Sequence, residues 1–462
     1  DKNMTGNQET IKNEKISIWE KIAYGSGDFA CNLINFLTFS LVTFFYTDAL
    51  GLNPGIIGSI MLFSRLADGF SDLLMGHLMD ITKSRHGKAR PWILWCSIPL
   101  AITTVMVFLV PNIGEIGKYI YVAITFNLVT TVVYTMTNLP YGTLTSLMSR
   151  DQNQRMSINV FRMFMSQVGS LVISVVTLPL VNAVGGSQHQ KSWVLVSVLY
   201  GVVAAALLLW CFGKTRERVT VSVQQENKVG FGKAVRLLFQ NKYWILLVFI
   251  WICISFNLSI TMGMGTYYAK YIIGNENVVG YLNAIMLIPG LMLMPLAPLL
   301  SRNFGKRNLA LGGSLINLCG QLLILLRPDT LGWLMFCFLV KGIGLVCTTA
   351  TIFAMVADTI EYGQWKTGIR IEGLLYSSTS FGSKAGNGIA SAATLAIIGA
   401  AGYDGTLTVQ SASATSAIKI LFIYVPLIFL VIMPILYSFY TLDKEYPQIM
   451  SDLQERETRS KK

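Results

Sequence analysis

A stripe of three charged residues lies inside an apolar stretch between Pro54 and Met79. Arg65, Asp68 and Asp72 are three and then four residues apart, so a helix places them on one face. A charge that faces lipid at the bilayer centre costs roughly 2.5 to 3.5 kcal/mol, so these side chains must face protein or water. Two carboxylates one turn apart repel each other, and a proton, a metal cation or the nearby guanidinium relieves that repulsion. The stripe therefore predicts a cation site.

Other ionisable residues also fall within apolar runs. The full set is Asp28, Arg65, Asp68, Asp72, Arg162, Lys341, Lys384 and Lys419. Such charges often act as salt bridges between helices, and Lys419, near the start of its run, is expected to extend its ammonium to the interface. The three acids Asp28, Asp68 and Asp72 outnumber the one arginine near them, which predicts a surplus charge that needs a mobile cation.

Composition places most of the chain in lipid. Of 462 residues, 53% are hydrophobic and only 13% are charged, which indicates a polytopic membrane protein. The net charge of +12 is spread over short loops and both tails, so it predicts positive-inside loops rather than nucleic-acid binding. The segment Asp1 to Ser17 is polar, so the first span is expected to direct insertion without a cleaved signal peptide.

Signs of enzyme chemistry are missing from the sequence. The three histidines, His77, His86 and His189, are dispersed, and the seven cysteines are scattered through apolar runs without metal-ligand or disulfide spacing. We predict a protein that is not an enzyme and needs no organic cofactor, with no metal beyond Na⁺ at Asp68 and Asp72.

Twelve apolar runs are long enough to span a bilayer. They cover residues 18–48, 54–80, 91–111, 118–148, 156–185, 193–213, 242–273, 277–301, 307–327, 330–357, 372–401 and 415–441. Basic residues concentrate in the tails and in every second loop, so both termini are expected on the cytoplasmic side. The fold class predicted is an all-α membrane protein with twelve transmembrane helices in two pseudo-symmetric six-helix bundles.

A polar segment near the middle divides the chain. We expect an amino-terminal bundle at 1–212, a central cytoplasmic loop at 213–241 and a carboxy-terminal bundle with its tail at 242–462. Gly87-Lys88 and Gly305-Lys306 occupy equivalent loops of the two parts. Polar connectors also correspond, at 149–155 after the fourth run and at 358–372 after the tenth. Two such bundles around a central cavity are typical of secondary transporters.

Two further motifs fit a cavity. Tyr24 to Asp28 contains two glycines, which let another helix or a sugar ring approach the backbone, although a plain packing seam is the alternative. Asn138 to Gly142 contains proline and glycine, which predicts a break that frees backbone carbonyls for a ligand or merely kinks the helix. Tyr141, Trp365 and Tyr376 would offer aromatic faces to a sugar, or serve as core and interface residues.

A charged connector is expected to control the cytoplasmic side. The segment from Asp80 to Trp92 combines an acid at a helix end with a tight glycine turn and several cations, which suits a network that clamps helix ends in one state. Ordinary positive-inside charge explains the cations alone. The predicted network consists of Asp80, Arg85, Lys88, Arg90, Asp358, Glu361 and Arg370.

These motifs resemble the glycoside-pentoside-hexuronide:cation symporter family, a branch of the major facilitator superfamily typified by the melibiose permease. The likeness covers nearly the whole chain, and its marks are Tyr24-Gly25 with Asp28, residues 45–48, 65–72, 85–92 and 138–141, and residues 357–370. The resemblance implies that Asp68 and Asp72 bind the coupling cation and that Asp28 takes part in sugar recognition. It also matches Arg162 and Lys384 to functional residues.

Three positions depart from the melibiose permease pattern. Gly27 replaces a lysine, Asn138 replaces an acid and Gly142 replaces a tryptophan. The changes remove a carboxylate near the cation site and alter the sugar pocket, which favours proton coupling and leaves the sugar open.

The sequence therefore predicts a symporter of the bacterial inner membrane that imports a glycoside, pentoside or hexuronide-type sugar, anionic or neutral, with H⁺ or Na⁺ by alternating access. A lipid or drug carrier on the same fold is the alternative. Expected partners are the sugar and membrane lipid, with no nucleic acid, and the protein is expected to be a monomer. The predicted cation ligands are Asp68, Asp72 and Asn138, and the predicted sugar contacts are Asp28, Arg162, Thr135, Asn138, Tyr141, Lys384 and Tyr376.

Overall fold

Helices occupy all twelve of the apolar runs. The computed structural model describes residues 16–82, 84–149, 152–218, 231–293, 296–368 and 373–460. The amino-terminal helices are α1 (Ile18–Ala49), α2 (Pro54–Ile81), α3 (Arg90–Phe108), α4 (Glu115–Asn127 continued by Leu128–Tyr134 and Thr135–Met148), α5 (Gln152–Val184) and α6 (Gln190–Lys214). The carboxy-terminal helices are α7 (Phe231–Phe239), α8 (Lys242–Ile273), α9 (Val278–Leu293), α10 (Ala297–Phe304), α11 (Lys306–Ile324), α12 (Leu331–Thr367), α13 (Gly373–Ala400), α14 (Ala412–Lys419 continued by Ile420–Tyr424 and Val425–Phe439) and α15 (Leu442–Ser460).

The described residues include eight helices that are long and apolar enough to cross a membrane. α2 is not among these eight, although it is 28 residues long and carries the charged stripe. The count of twelve spans stays a prediction.

Helix ends follow local chemistry. The Ser17 side chain accepts a hydrogen bond from the Glu20 amide at the start of α1, and Asn53 does the same for Gly55 and Ile56 at the start of α2, where Pro54 takes the first helical position. These caps satisfy amide groups that have no partner within the helix.

The prediction of a polar connector at 358–372 is wrong for most of this segment, which is helical. α12 continues through Asp358 to Thr367 and ends where Gly368 adopts φ of +72°. α12 contains no proline, and none of its glycines before Gly368 has a left-handed conformation. The helix therefore extends beyond its apolar part.

The predicted break at Asn138 to Gly142 is also wrong. α4 is helical through Pro140 and Gly142, and its irregular part is the π-helical turn Leu128–Tyr134 that precedes them. A proline cannot accommodate the normal carbonyl position one turn earlier, and a wider turn is one way to relieve that clash.

Further π-helical turns occur at Leu37–Leu41 and Phe45–Ala49 in α1, at Ala269–Ile273 in α8 and at Ile420–Tyr424 in α14. Such turns are frequent at functional sites. Two of them contain a charged residue, Asp48 in Phe45–Ala49 and Lys270 in Ala269–Ile273.

Packing joins the amino-terminal and carboxy-terminal helices at two extensive seams. α2 packs along α13, and α5 packs along α9. Glycines permit this closeness: a Cβ at Gly280 would lie 2.0 Å from the carbonyl oxygen of Ser174, and one at Gly388 would lie 2.6 Å from the Cβ of Arg65. These seams bring the charged stripe of α2 against α13.

Candidate functional site

A cavity of about 640 Å³ lies between the amino-terminal and carboxy-terminal helices. Its amino-terminal wall consists of Asn35, Thr38, Phe39, Arg65, Asp68, Asp72, Thr130, Tyr134, Thr135, Asn138, Leu139, Gly142, Thr143 and Arg162. Its carboxy-terminal wall consists of Trp251, Ile254, Ser255, Leu258, Ser383, Lys384 and Asn387. The sequence thus predicted six of the lining residues as site residues: Asp68, Asp72, Thr135, Asn138, Arg162 and Lys384.

The three acids each have a basic partner. Arg162 Nε lies 3.6 Å from Asp28 Oδ1, and Arg65 Nη1 lies 3.1 Å from Asp68 Oδ2. Lys384 Nζ contacts Asp72 Oδ2. The predicted surplus of negative charge is therefore wrong, because sequence alone did not show that Arg162 and Lys384 reach the same region as Arg65.

Lys384 and Asp72 form a salt bridge between the two walls of the cavity. Asp72 belongs to α2 and Lys384 to α13, and both side chains keep 28 to 29% of their surface exposed. The pair is therefore wet enough for an ion from solution to compete with the ammonium group.

Asp68 is more deeply enclosed, with 4% of its surface exposed. The Thr131 hydroxyl, in the π-helical turn of α4, donates to Asp68 Oδ1 at 2.5 Å. The same hydroxyl lies 3.3 Å from Asn127 Oδ1 and 3.5 Å from the Ser64 carbonyl oxygen. The Thr131 hydroxyl therefore has three oxygen atoms, from Asp68, Asn127 and Ser64, within 3.5 Å.

Tyr141, predicted as a sugar contact, is instead buried beside the cavity. Its hydroxyl donates to the Tyr24 carbonyl oxygen at 2.5 Å, and its ring stacks on Tyr24 at 4.7 Å between centroids. The Arg162 guanidinium lies 5.2 Å from the Tyr141 ring centre, which holds Arg162 in place by a cation–π contact. Tyr141 thus positions Arg162 next to Asp28.

The absence of a side chain at Gly27 permits the close packing of Tyr141. A Cβ at Gly27 would lie 2.4 Å from Cε2 of the Tyr141 ring. The packing interpretation of the Tyr24 to Asp28 motif therefore holds for Gly27, where no side chain can be placed without moving Tyr141.

Trp365, another predicted aromatic contact, binds away from the cavity. Trp365 Nε1 donates to Asp452 Oδ2 on α15 at 2.8 Å. The side chain of Tyr376 lies outside the described residues. The aromatic residues that do line the cavity are Phe39, Tyr134 and Trp251.

Several lining residues were missed by sequence reasoning. Asn35 and Thr38 follow Asp28 on α1 at helical spacing, and Trp251, Ile254, Ser255 and Leu258 form one helical stripe on α8. Extending each charged stripe by steps of three and four residues would have found the α1 positions. Nothing in the sequence marks Trp251, because its stripe carries no charge.

Lys341 lies outside the cavity wall and has a structural partner. Its ammonium group donates to Gln321 Oε1 and lies 5.1 Å from the Phe338 ring centre. Gln321 in turn donates to the carbonyl oxygens of Phe422 and Ile423 in the π-helical turn of α14. Lys341 thus joins α11, α12 and α14.

Described residues of the predicted cytoplasmic network pair within each helix set. The backbone amides of Lys88 and Arg90 donate to the Glu217 carboxylate, and Arg90 Nη2 donates to the Phe212 carbonyl oxygen. Lys306 Nζ lies 2.6 Å from Asp358 Oδ2. Burial raises the pKa of the Asp358 carboxyl, and the contact with Lys306 opposes that shift.

Other predicted members of this network are less enclosed or not described. Arg85 is exposed and donates to His86 Nε2 at 3.3 Å, and Glu361 is half-buried on α12. The Asp80 side chain and all of Arg370 lie outside the described residues. A gating role for these residues stays a prediction.

Comparison with known proteins identifies the family. A family model described as MFS/sugar transport protein matches residues 23–444. The chain belongs to this family. Its fold class is therefore confirmed as the all-α fold of the major facilitator superfamily, and the resemblance stated from the motifs is confirmed.

Individual relatives of this MFS chain cover more than nine tenths of its length. It is 30% identical over 441 residues to the isoprimeverose transporter of Lactiplantibacillus pentosus, covering 95% of this chain and 91% of that one. It is 32% identical over 436 residues to the putative glycoside/cation symporter YagG of Escherichia coli, covering 93% of each. A bacterial homolog of the human lysosomal transporter Spinster, solved inward-facing and unoccupied, shares the fold with a TM-score of 0.69 at 14% identity, covering 94% of this chain and 98% of that one.

The packing of Gly27 gives a prediction about stability. Changing Gly27→Ala in this MFS chain should destabilise it by about 1 to 3 kcal/mol, because the new Cβ displaces Tyr141. The thermal unfolding midpoint in detergent should fall. Gly263→Ala on α8 is the matched control, since nothing lies within 4 Å of its added Cβ. An equal or higher midpoint for Gly27→Ala than for Gly263→Ala would contradict the assigned packing.

Proposed function

We propose that the protein is a secondary active symporter that imports a glycoside, pentoside or hexuronide-type sugar together with H⁺ or Na⁺ by alternating access. The observation that carries the proposal is the Asp72–Lys384 pair, which connects the two walls of a polar cavity that also holds the buried acid Asp68. Two relatives named above are an isoprimeverose transporter and a putative glycoside/cation symporter, which supports a sugar and a coupled cation.

The coupling cation binds at Asp68 and Asp72. Thr131 adds a hydroxyl next to Asp68, and Asn127 and Ser64 add two further oxygen atoms within 3.5 Å of that hydroxyl. Oxygen atoms of carboxylate, hydroxyl, amide and carbonyl groups are ligands that hard cations prefer. This oxygen set favours Na⁺ over H⁺, and Asn138 serves the sugar rather than the ion.

Coupling follows from competition for Asp72. A cation that binds Asp72 takes the place of the Lys384 ammonium, so the bond between α2 and α13 changes when the ion arrives. The freed lysine then faces the cavity and is available to a sugar hydroxyl. Binding of the ion thereby strengthens binding of the sugar. Thermodynamic linkage requires the sugar to strengthen binding of the ion by the same factor.

Sugar recognition uses both walls. Asn35, Thr38 and Asn138 offer amide and hydroxyl groups from the amino-terminal wall, and Asp28 with Arg162 lies next to them. Trp251 offers an apolar ring face from the other wall, which suits the C–H face of a sugar ring. Because the acids and bases described here are matched, the empty site favours an uncharged glycoside.

An anionic sugar is the second candidate substrate. Once the coupling cation occupies Asp72, Lys384 is a spare positive charge inside the cavity, and a hexuronide carboxylate would complement it. A lipid or drug carrier on this fold is disfavoured, because five lining charges and three amides make the cavity too polar for an apolar cargo.

Placement in the bacterial inner membrane with both termini cytoplasmic belongs to the same proposal, as does a monomer whose bundles at 1–212 and 242–462 rock about the occupied cavity. The proposal includes no organic cofactor, no enzyme activity and no nucleic-acid partner. Within the described ranges, no three His, Cys, Asp or Glu side chains are grouped to hold a metal ion, so Na⁺ would rely on the mixed oxygen set above.

The function is tested by sugar uptake in vesicles that contain the purified protein, over a panel of neutral and acidic glycosides, with and without Na⁺. We expect a neutral glycoside to accumulate against its gradient when an inward Na⁺ gradient is imposed. Sugar-driven alkalinisation of the outer medium without Na⁺ would instead assign H⁺. No response to any sugar under either condition would contradict sugar symport.

Removal of either acid of the cation site should uncouple transport. In Asp68→Asn and Asp72→Asn, uphill sugar accumulation should fall to the equilibrium level, because the coupling cation loses one of its two carboxylate ligands. Purified protein should keep its helical content by circular dichroism. Accumulation above equilibrium in both variants would contradict the coupling assignment.

Thr131 tests the extra oxygen ligand. Thr131→Val keeps the shape but removes the hydroxyl, and we expect the Na⁺ concentration for half-maximal uptake to rise about tenfold, since a hydrogen bond or ligand to a charged group is worth roughly 1.5 to 3 kcal/mol. Thr131→Ser is the matched control and should stay near the parent value. An unchanged Na⁺ dependence in Thr131→Val would remove Thr131 from the site.

A further inference from the structure

A second charged cluster is centred on Asp48, in the last π-helical turn of α1. The Asp48 carboxylate is fully buried and receives four donors. Lys270 Nζ at 2.5 Å and Gln188 Nε2 at 2.6 Å bind Oδ2. The hydroxyls of Tyr271 at 2.5 Å and Tyr403 at 3.2 Å bind Oδ1. Asp48 is not among the residues that line the cavity, so the sugar and ion site does not account for it.

These donors come from both helix sets. Gln188 lies between α5 and α6, whereas Lys270 and Tyr271 belong to the π-helical turn that ends α8, and Tyr403 follows α13. A single carboxylate from the amino-terminal helices thus binds three side chains of the carboxy-terminal helices. All four donors lie at the ends of helices opposite the chain termini.

Neighbouring contacts cross between the helix sets at the same level. Thr47 Oγ1 lies 2.6 Å from the Tyr267 hydroxyl, and Asn182 Nδ2 donates to Asn277 Oδ1 at 2.8 Å. A Cβ at Gly405, in the loop after α13, would lie 1.9 Å from the Thr47 carbonyl oxygen. The backbone of that loop therefore closes directly over the end of α1.

An internal repeat generates the charge pair. Residues 45–48 read Phe-Tyr-Thr-Asp near the end of the first helix of the amino-terminal set, and residues 267–270 read Tyr-Tyr-Ala-Lys near the end of the first spanning-length helix of the carboxy-terminal set. The pattern is an aromatic residue, tyrosine, a small residue and a charge. Each charge lies in a five-residue π-helical turn, Asp48 in Phe45–Ala49 and Lys270 in Ala269–Ile273. Equivalent positions thus carry opposite charges that meet where the helix sets touch.

Charged pairs described on the side of the termini behave differently. Glu20–Arg218 lies within the amino-terminal helices, and Lys306–Asp358 lies within the carboxy-terminal helices. Those pairs stabilise each set of helices without joining the two.

We infer that Asp48 and Lys270 form a latch that holds the outer ends of the two helix sets together and must open before the cavity reaches the outer solution. The inference depends on the packing of the helix sets and holds whatever the cargo and the coupling ion are.

The surroundings allow the latch to separate. Opening at this end admits water from outside, and water hydrates both charges, which removes the cost that would arise from separating them in lipid. Glu276 Oε2 already lies 3.9 Å from Lys270 Nζ and provides an alternative partner for the lysine once Asp48 has left.

The test uses a reporter cysteine placed below the latch. Thr43 is 8% exposed on α1 and lies against Tyr267 of the facing helix. In Thr43→Cys protein, a membrane-impermeant maleimide is applied from the side opposite the termini, and labelling at position 43 is followed by peptide mass spectrometry so that the seven native cysteines do not interfere.

Adding Asp48→Asn should raise the labelling rate at position 43 at least about tenfold, because an amide cannot replace the charge that pairs with Lys270. Asp329→Asn is the matched control. It removes the acid of Lys419–Asp329, an ion pair at the same end of the molecule that lies within the carboxy-terminal helices. Its labelling rate should equal that of the parent.

A charge exchange completes the test. Asp48→Lys combined with Lys270→Asp should return labelling toward the parent rate, since the two positions are equivalent in the repeat. Lys270→Gln carries the same expectation as Asp48→Asn and serves if that variant does not reach the membrane. Parent-like labelling in both single variants would overturn the latch. Labelling does not depend on transport, so this result is separate from the failure or success of sugar symport.

Discussion

The cost of charge inside a membrane governs this structure. Each ionised side chain in a span has to find a partner or water, and Asp28, Asp68 and Asp72 find Arg162, Arg65 and Lys384. The Asp72–Lys384 contact matters most, because it is the member of the three that connects α2 with α13. The salt bridge that neutralises Asp72 in the empty site therefore also links α2 to α13. A cation that replaces Lys384 at Asp72 breaks this link.

Irregular helical turns provide the remaining polar groups. The π-helical turn of α4 places Thr131 next to Asp68, and those of α1 and α8 present Asp48 and Lys270 to each other. A wider turn shifts side chains out of the regular spacing of an α-helix, so it can direct a polar group toward a neighbouring helix. In the account proposed here, the α4 turn serves the ion, and the α1 and α8 turns serve the outer closure.

Sequence reasoning predicted the helices well and their partners poorly. Apolar runs follow directly from the cost of exposing polar backbone to lipid, and that is why a helix occupies most of each run. The charged stripe on α2 was visible for the same reason. Pairing depends on how distant helices meet, so the match of Lys384 with Asp72 overturned the expected charge surplus, and neither Thr131 nor Trp251 was marked by local spacing. Asp48 stood in a recognised motif, yet its partners are 140 to 355 residues away in the chain.

Reciprocal binding is the most direct test of the central claim that ion and sugar are coupled through Asp72 and Lys384. Calorimetric titration of the purified protein would measure sugar affinity with and without a saturating cation, and cation affinity with and without saturating sugar. We expect each ligand to tighten binding of the other by the same factor, about 5- to 150-fold. Sugar and cation affinities that do not depend on each other would contradict it.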